Sequence, residues 1–266
     1  MDFTHLHVHS HYSLMDGLCS PEELLTAAKN AGQTAMAITD HGTLASHREL
    51  QVAAKKLGMK PILGLEAYIS STDRFDKRDI KERDDNTQIF NHIILLAKNN
   101  EGLKNLQKLS EIAWTEGYYR KPRIDLEILD EYGSGLIVLS GCMNGLIAKA
   151  IQNNNMEKAM EYARWFQNRF KDDFYLEVQA HNDDVVNDGL KEISSKLKIK
   201  MVATSDCHYA TKDQKALEEA LLILSTKPNQ AEGTDYDSAK KFKNIFERFN
   251  HLYPDRPISF QDINVY

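Results

Sequence analysis

Thr4-His5-Leu6-His7-Val8-His9-Ser10-His11 stands close to the start of the chain and places a histidine at every second position. On an extended strand, residues two apart point to the same face. Leu6 and Val8 are then expected to pack outward while His7 and His9 point together into a site. Two adjacent imidazoles fill a core poorly, because each brings two ring nitrogens that need partners. They make a good pair of metal ligands. A His-rich surface strand is the competing reading of this segment alone. The alternating aliphatic residues separate it from a homopolymeric expression tag. His5 lies on the same face one step deeper, and His11 lies past the strand with no matched role.

Beyond this strand the pattern is strand then helix, repeated. Residues 21–31 read as a helix, with Ser20 as N-cap, Pro21 at the first helical position and Gly32 as the stop. Further helices are expected at 44–57, 101–114, 156–170, 185–197 and 216–224. Strands are expected at 3–9, 34–39, 60–69, 93–97, 135–140, 174–178 and 200–204. Seven strands with intervening helices imply parallel strands, and the pattern leaves an open sheet and a barrel equally available. No Gly-rich phosphate loop follows the first strand, which counts against a dinucleotide site. Residues 70–88 form a long, charged insertion that reads as a mobile surface loop.

Composition bounds the function. A chain of 266 residues, 42% of them hydrophobic, supplies a substantial core for one large α/β domain or two small ones. No apolar run approaches a membrane span, and no signal pattern precedes the first strand. Cys19, Cys142 and Cys207 are too few and too scattered for a disulfide framework, so a reducing cytoplasm fits. The formal net charge of −6 argues against a broad, non-specific grip on nucleic acid, though not against a site that takes one strand end.

Polar residues gather where strands end. His7, His9 and Asp16 follow the first strand, and Asp40-His41 follows the second. Glu66 sits inside an apolar strand, where a buried carboxylate needs a cation or an arginine. Cys142 follows the strand at 135–140, and Asp206 and His208 follow the one at 200–204. Sites of parallel α/β folds lie at the carboxyl ends of strands. His92 is discordant, because it opens its apolar run. The two-residue spacing of Asp206 and His208 aims both side chains one way only if the segment stays extended. Each signal has a plain alternative: Asp40 and His41 as helix caps, Cys142 as a small core residue. Imidazole, carboxylate and one thiolate together suit zinc, iron or manganese better than calcium or magnesium alone.

His7-Val8-His9-Ser10, Thr39-Asp40-His41-Gly42, Gly64-Leu65-Glu66, Ser140-Gly141-Cys142 and Ser205-Asp206-Cys207-His208 resemble the motifs of the polymerase and histidinol phosphatase (PHP) family. Tyr12-Ser13-Leu14-Met15-Asp16-Gly17, Leu95-Leu96-Ala97-Lys98-Asn99 and Lys121-Pro122-Arg123-Ile124-Asp125 look like the branch found at the N-terminus of bacterial DNA polymerase III alpha subunits. The resemblance covers roughly residues 2–225. It implies an α/β fold with a distorted seven-stranded (β/α)7 barrel over residues 1–225, holding up to three divalent metal ions. By position, His7, His9, Glu66 and Asp206 would bind one metal. Glu66 would bridge to a second, held also by His92 and Cys142. Asp16, His41 and His208 would hold the third.

The chemistry so implied is phosphoester hydrolysis, in which a metal-bridged hydroxide held by His7, His9, Glu66 and Asp206 attacks phosphorus in line. Arg123, Lys98 and Lys121 are candidate phosphate contacts. The leading expectation is a 3′–5′ exonuclease of proofreading type on a single-stranded or frayed DNA 3′ end. A histidinol-phosphatase-like phosphomonoesterase, and a non-catalytic docking module of a DNA polymerase III alpha subunit, are the alternatives. Residues 226–266 match the family poorly. Phe242, Ile245, Phe246 and Phe249 place an amphipathic helix at 240–249, to pack on the barrel or to bind a partner such as a polymerase. A replicative polymerase would continue past Tyr266, so an excised domain and a free-standing protein both fit.

Overall fold

Apolar strands of two to ten residues, broken by amphipathic helices, build one curled seven-stranded sheet flanked by helices in the computed structural model. The structure describes residues 3–79, 88–215, 217, 218 and 221. The elements run α1 (Pro21–Asn30), β1 (Ala35–Ile38), α2 (His47–Leu57), β2 (Lys60–Ile69), β3 (Asn91–Ala97), α3 (Asn100–Thr115), β4 (Arg123–Ile124), α4 (Leu126–Tyr132), β5 (Leu136–Leu139), α5 (Leu146–Gln152), α6 (Met156–Phe170), β6 (Phe174–Gln179), α7 (Asp184–Leu197) and β7 (Met201–Thr204). The entry to α1 is the expected one: Ser20 accepts from Glu23 N–H, the Glu23 carboxylate accepts from Ser20 N–H, and Pro21 opens the helix.

The sheet order is β1-β2-β3-β5-β6-β7, with β4 paired to the end of β2. The expectation of parallel strands throughout fails at β3. It runs antiparallel to both neighbours, pairing Glu66 with Ile94 and Tyr68 with His92 on β2, and Leu95 with Val138 on β5. No helix lies between β2 and β3 among the described residues, so nothing there forces a right-handed parallel crossover. This reversal places the amino end of β3 beside the carboxyl end of β2.

The opening segment is extended but is no regular strand, contrary to the reading of residues 3–9. The Thr39 hydroxyl accepts from Val8 N–H at 3.0 Å and so takes the place of a ladder carbonyl. Backbone bonds nevertheless tie it on both sides. His5 and Val8 carbonyls accept from Ala37 and Thr39, while His7 and His9 bond to Cys207, just past β7. The segment therefore links the two ends of the curled sheet.

Alternation along the strands sorts the side chains. One face, carrying Leu65, Ile69, Ile93, Leu95 and Val138, packs under the helices with Leu106, Leu109, Phe166 and Leu190. Val8, Leu25, Met36, Ile38 and Leu50 form a second cluster beneath α1 and α2. The concave face holds a small apolar floor of Ala37, Ile94, Leu96 and Leu139. Glu66, Tyr68 and His92 alternate with the helix-facing residues and so share that concave face. β4, α4 and α5 are absent from the sequence reading, since two- and seven-residue elements carry too little periodicity to register. Residues 70–79 of the charged insertion are tied down: Arg74 pairs with Glu116, Asp125 and Glu127. The expected helix at 216–224 lies largely outside the described residues, and the extension at 226–266 lies wholly outside them.

Candidate metal centre

Nine side chains from six separate stretches of chain converge at one end of the sheet. The opening segment brings His7 and His9, both fully buried. Their Nε2 atoms lie 3.2 Å apart, and each lies close to Asp206 Oδ1, at 3.0 and 3.2 Å. Glu66 stands opposite, with Oε1 3.4 Å from His7 Nε2 and Oε2 3.2 Å from His9 Nε2. Glu66 also reaches His92 Nδ1 at 2.8 Å and His41 Nδ1 at 2.6 Å, so one carboxylate faces four imidazoles. On the outer side Asp16 Oδ2 lies 2.6 Å from His41 Nε2 and 3.2 Å from His208 Nε2. Cys142 Sγ is 3.8 Å from His92 Nδ1 and 4.0 Å from Glu66 Oε1, at the edge of the group.

Among the described residues, three overlapping sets have the spacing to hold an ion: His7, His9 and Glu66; His41, Glu66 and His92; and His9, Asp16, His41 and His208. They share members more than the sequence assignment supposed. His9 and His41 each face two sets, and Cys142 stands slightly back from the second.

The antiparallel β3 removes the discordance at His92. Its amino end lies at the same edge as the carboxyl ends of the parallel strands, so His92 stands with the other candidate ligands. Asp206 takes an unusual route. Its φ of +48° turns the chain out of the extended conformation, contrary to the condition set for the 206–208 spacing. The carboxylate then faces His7 and His9 while His208 faces Asp16.

The surroundings fix which ring nitrogen faces the centre. His7 Nδ1–H donates to Glu177 Oε1 at 2.7 Å. His9 Nδ1–H donates to the Ser13 hydroxyl at 2.9 Å, and that hydroxyl donates to Asp40 Oδ1 at 2.8 Å. His208 Nδ1–H donates to the Asp206 carbonyl at 2.9 Å. In all three the outer nitrogen is spent, which leaves Nε2 aimed inward. This is the arrangement that orients histidine toward a metal. Glu177 is itself fully buried and held by Gln179, Thr204 and the Gly141 N–H. Sequence reading missed Glu177. A carboxylate in the apolar run Phe174–Gln179 was the available signal, the same one that singled out Glu66. Asp40 is no helix cap: it accepts from Ser10 N–H and from the Ser10 and Ser13 hydroxyls, and it shapes the loop that carries Asp16.

The electrostatics are those of lone pairs packed together without enough protons. Burial opposes charge on His7, but Asp206, Glu177 and Glu66 raise its pKa well above the usual imidazole range. Burial likewise opposes charge on His41 and His208, yet Glu66 and Asp16 lift His41 to about 10, and Asp16 and Asp206 lift His208 to about 9. Against their own burial, Glu66 is held well below the carboxylate range by His92, His41 and His7, and Asp206 by His7 and His9. Burial and the nearby carboxylates push the Cys142 thiol up. Glu66 Oε2, Asp206 Oδ1 and His41 Nδ1 are buried with no properly directed hydrogen bond. Buried polar atoms left this way are costly. A divalent cation would satisfy them together, so the residues present fit a metal.

The three candidate phosphate contacts fare differently. Arg123 is fully buried, and its guanidinium donates to the carbonyls of Gly117, Asp76, Arg74 and Ile89. It is an internal strut and does not face a substrate. Lys98 follows the carboxyl end of β3, which the strand reversal puts at the far end of the sheet, and it pairs with Asp173 at 2.7 Å. Lys121 alone stands near the centre. Its ammonium lies 5.1 Å over the Tyr68 ring, and that ring stacks on His41. A cleft of about 340 Å³ opens beside Asp16, Asp206 and His208, and Glu218 lines it with its carboxyl raised to about 7 by burial.

The family model described as PHP domain matches residues 5–181. The chain is 42% identical over 230 residues to DNA polymerase III subunit alpha of Aquifex aeolicus, covering 85% of this chain and 20% of that protein. It is 38% identical over 268 residues to the Borreliella burgdorferi subunit, covering 98% and 23%, and 36% identical over 265 residues to the Treponema pallidum subunit, covering 97% and 22%. The chain thus spans about a fifth of the length of these relatives.

Proposed function

The chain belongs to the PHP domain family, and on that premise we propose that it is a metal-dependent phosphodiester hydrolase acting as a 3′–5′ exonuclease on DNA ends. The observation that carries the reading is the crowding of four imidazoles, from His7, His9, His41 and His92, around the buried Glu66 carboxylate, with the outer ring nitrogens of His7, His9 and His208 already spent. A centre kept only as scaffold has no need of buried, unsatisfied carboxylate oxygens. The likeness to DNA polymerase III alpha subunits supports DNA as the substrate class.

In this reading His7, His9, Glu66 and Asp206 hold one cation, Glu66, His92 and Cys142 a second, and Asp16, His41 and His208 a third. Bound zinc, manganese or iron would supply Lewis acidity for the phosphate oxygens and lower the pKa of water toward neutrality. Glu66 fixes the spacing of the centre through both of its oxygens. Glu177 and the Ser13–Asp40 pair hold His7 and His9 in the tautomer that presents Nε2. Lys121 offers a cation to the phosphate of the incoming strand. No helix among the described residues is long and apolar enough to cross a membrane.

The deciding experiment incubates purified protein with manganese or zinc and 3′-labelled single-stranded DNA. Stepwise release of 3′ nucleotides, abolished by His9→Ala, is the expected result. Hydrolysis of phosphomonoesters with DNA untouched would move the protein to the phosphatase branch. No hydrolysis of either substrate with any divalent metal would end the catalytic reading.

A further inference from the structure

Beside the metal centre stands an aromatic pair that the chemistry above does not use. Trp114 closes α3 and Tyr118 follows it, with ring centroids 5.6 Å apart and planes 17° from parallel. Large apolar side chains are usually covered, yet these are 51% and 50% exposed. They are also held in place. The Trp114 indole N–H donates to the Gly42 carbonyl at 2.9 Å, one residue from His41. Tyr118 sits on the loop 117–123, which is drawn tight from inside by Arg123 donating to the Gly117 carbonyl at 3.0 Å. Gly42 itself has φ +63°, and a Cβ there would meet Pro122 at 2.8 Å and Tyr68 at 3.0 Å, so the two loops are in close contact. Lys121, on the same loop, is exposed and has no carboxylate partner among the described residues.

We infer that Trp114 and Tyr118 are a stacking platform for the unpaired bases of a single strand whose terminal phosphodiester lies at the metal centre, with Lys121 facing the intervening backbone. The inference rests on the nuclease reading of that centre. Exposed aromatic faces next to an exposed cation are the combination that holds single strands without regard to sequence, because every base offers a π-face. An overall charge of −6 argues against a grip through a broad basic surface, which leaves room for stacking to supply what phosphate contacts do not. The indole hydrogen bond to Gly42 couples the platform to the loop that carries His41, so a base seated there is in register with the centre.

The test uses the full chain carrying Trp165→Phe, which leaves Trp114 as the single indole. The probes are a phosphorothioate (dT)8, which resists cleavage, and the same backbone with abasic tetrahydrofuran units, both in manganese buffer. Binding of (dT)8 should quench Trp114 emission, and the abasic strand should not. By anisotropy of the labelled strand, Trp114→Ala and Tyr118→Ala should each weaken (dT)8 binding about tenfold, the usual scale for losing one base–aromatic stack, and leave abasic binding unchanged. Trp114→Phe keeps a ring without the Gly42 bond and should retain most of the affinity, which separates stacking from misfolding. Equal binding of (dT)8 by the parent and both alanine variants would overturn the platform and leave the pair as a contact for another protein. Trp114-dependent binding without cleavage would uphold the platform while removing the nuclease reading; cleavage with Trp114-independent binding would do the reverse.

Discussion

At the scale of single residues the centre is built from the outside in. Glu177 touches no other group of the cluster except His7, yet it decides which His7 nitrogen faces Glu66. Replacing such an outer partner typically costs 10- to 100-fold in metal affinity. Glu177→Gln is therefore expected to weaken manganese or zinc binding by about that factor in a competition titration. An unchanged affinity would strip Glu177 of this role. Glu66→Gln should be far more severe: one side chain faces two of the three ion-holding sets, so elemental analysis should show more than one equivalent of metal lost. Proton linkage gives a third expectation. Metal-free His41 titrates at about 10 and His208 at about 9, so both carry a proton at neutral pH that a cation must displace. Because these folded-state values are raised, their contribution to metal-free stability is full below the unfolded imidazole value of about 6.5 and is lost as pH rises through 9 and 10. Metal affinity should accordingly keep climbing with pH through that window, where ordinary histidines would level off above 7. Calorimetry in two buffers of different ionisation enthalpy, at pH 7.5, should register the released protons. No buffer dependence would show that the imidazoles are already neutral.

At the scale of elements, the decisive feature is the direction of β3, and the sequence could not disclose it. Strand existence follows from composition: Asn91–Ala97 holds five consecutive aliphatic residues, and its place in the order is clear. Strand direction follows from which neighbours the curled sheet offers, information that resides in pairing partners far along the chain. His92 looked misplaced for that reason alone. Of the candidate ligands, Glu66 was legible from the residues alone, because a carboxylate in an apolar run advertises itself by its cost, whereas the full set came from the family resemblance. Arg123 was misread for the complementary reason: its partners are backbone carbonyls, which no side-chain pattern reveals. Its role makes a sharp prediction. Arg123→Met would leave those buried carbonyls without a donor, at about 1–3 kcal/mol each for the ones that water cannot reach. Denaturant unfolding should show a loss of several kcal/mol, with the 117–123 loop the first to become protease-sensitive. A loss within about 0.5 kcal/mol, the range of ordinary surface substitutions, would mean the strut carries little.

At the scale of the whole molecule, the segment His5–His9 links the two ends of the curled sheet and also brings two of the candidate ligands, His7 and His9. Metal binding and sheet closure should therefore be one cooperative event. The core beneath the helices is independent of it, since Leu106, Phe166, Phe174 and Leu190 pack without reference to the centre. A metal-free chain is thus expected to stay folded but to melt earlier. A ligand present at 100 times its dissociation constant stabilises the native state by about 2.7 kcal/mol. For a domain of this size each kcal/mol moves the midpoint by about 2–4 °C, so saturating manganese should raise it by roughly 5–11 °C over the protein in EDTA. Salt then discriminates the source. Exposed pairs such as Lys158–Glu161 and Lys191–Asp188 are weak and screened, whereas His7, His9 and Glu66 are out of reach of counter-ions. The increment in midpoint between manganese and EDTA should survive 0.5 M sodium chloride in scanning calorimetry. An increment that vanishes with salt would locate the stabilising cations on the acidic surface and not at the histidines with which the chain begins.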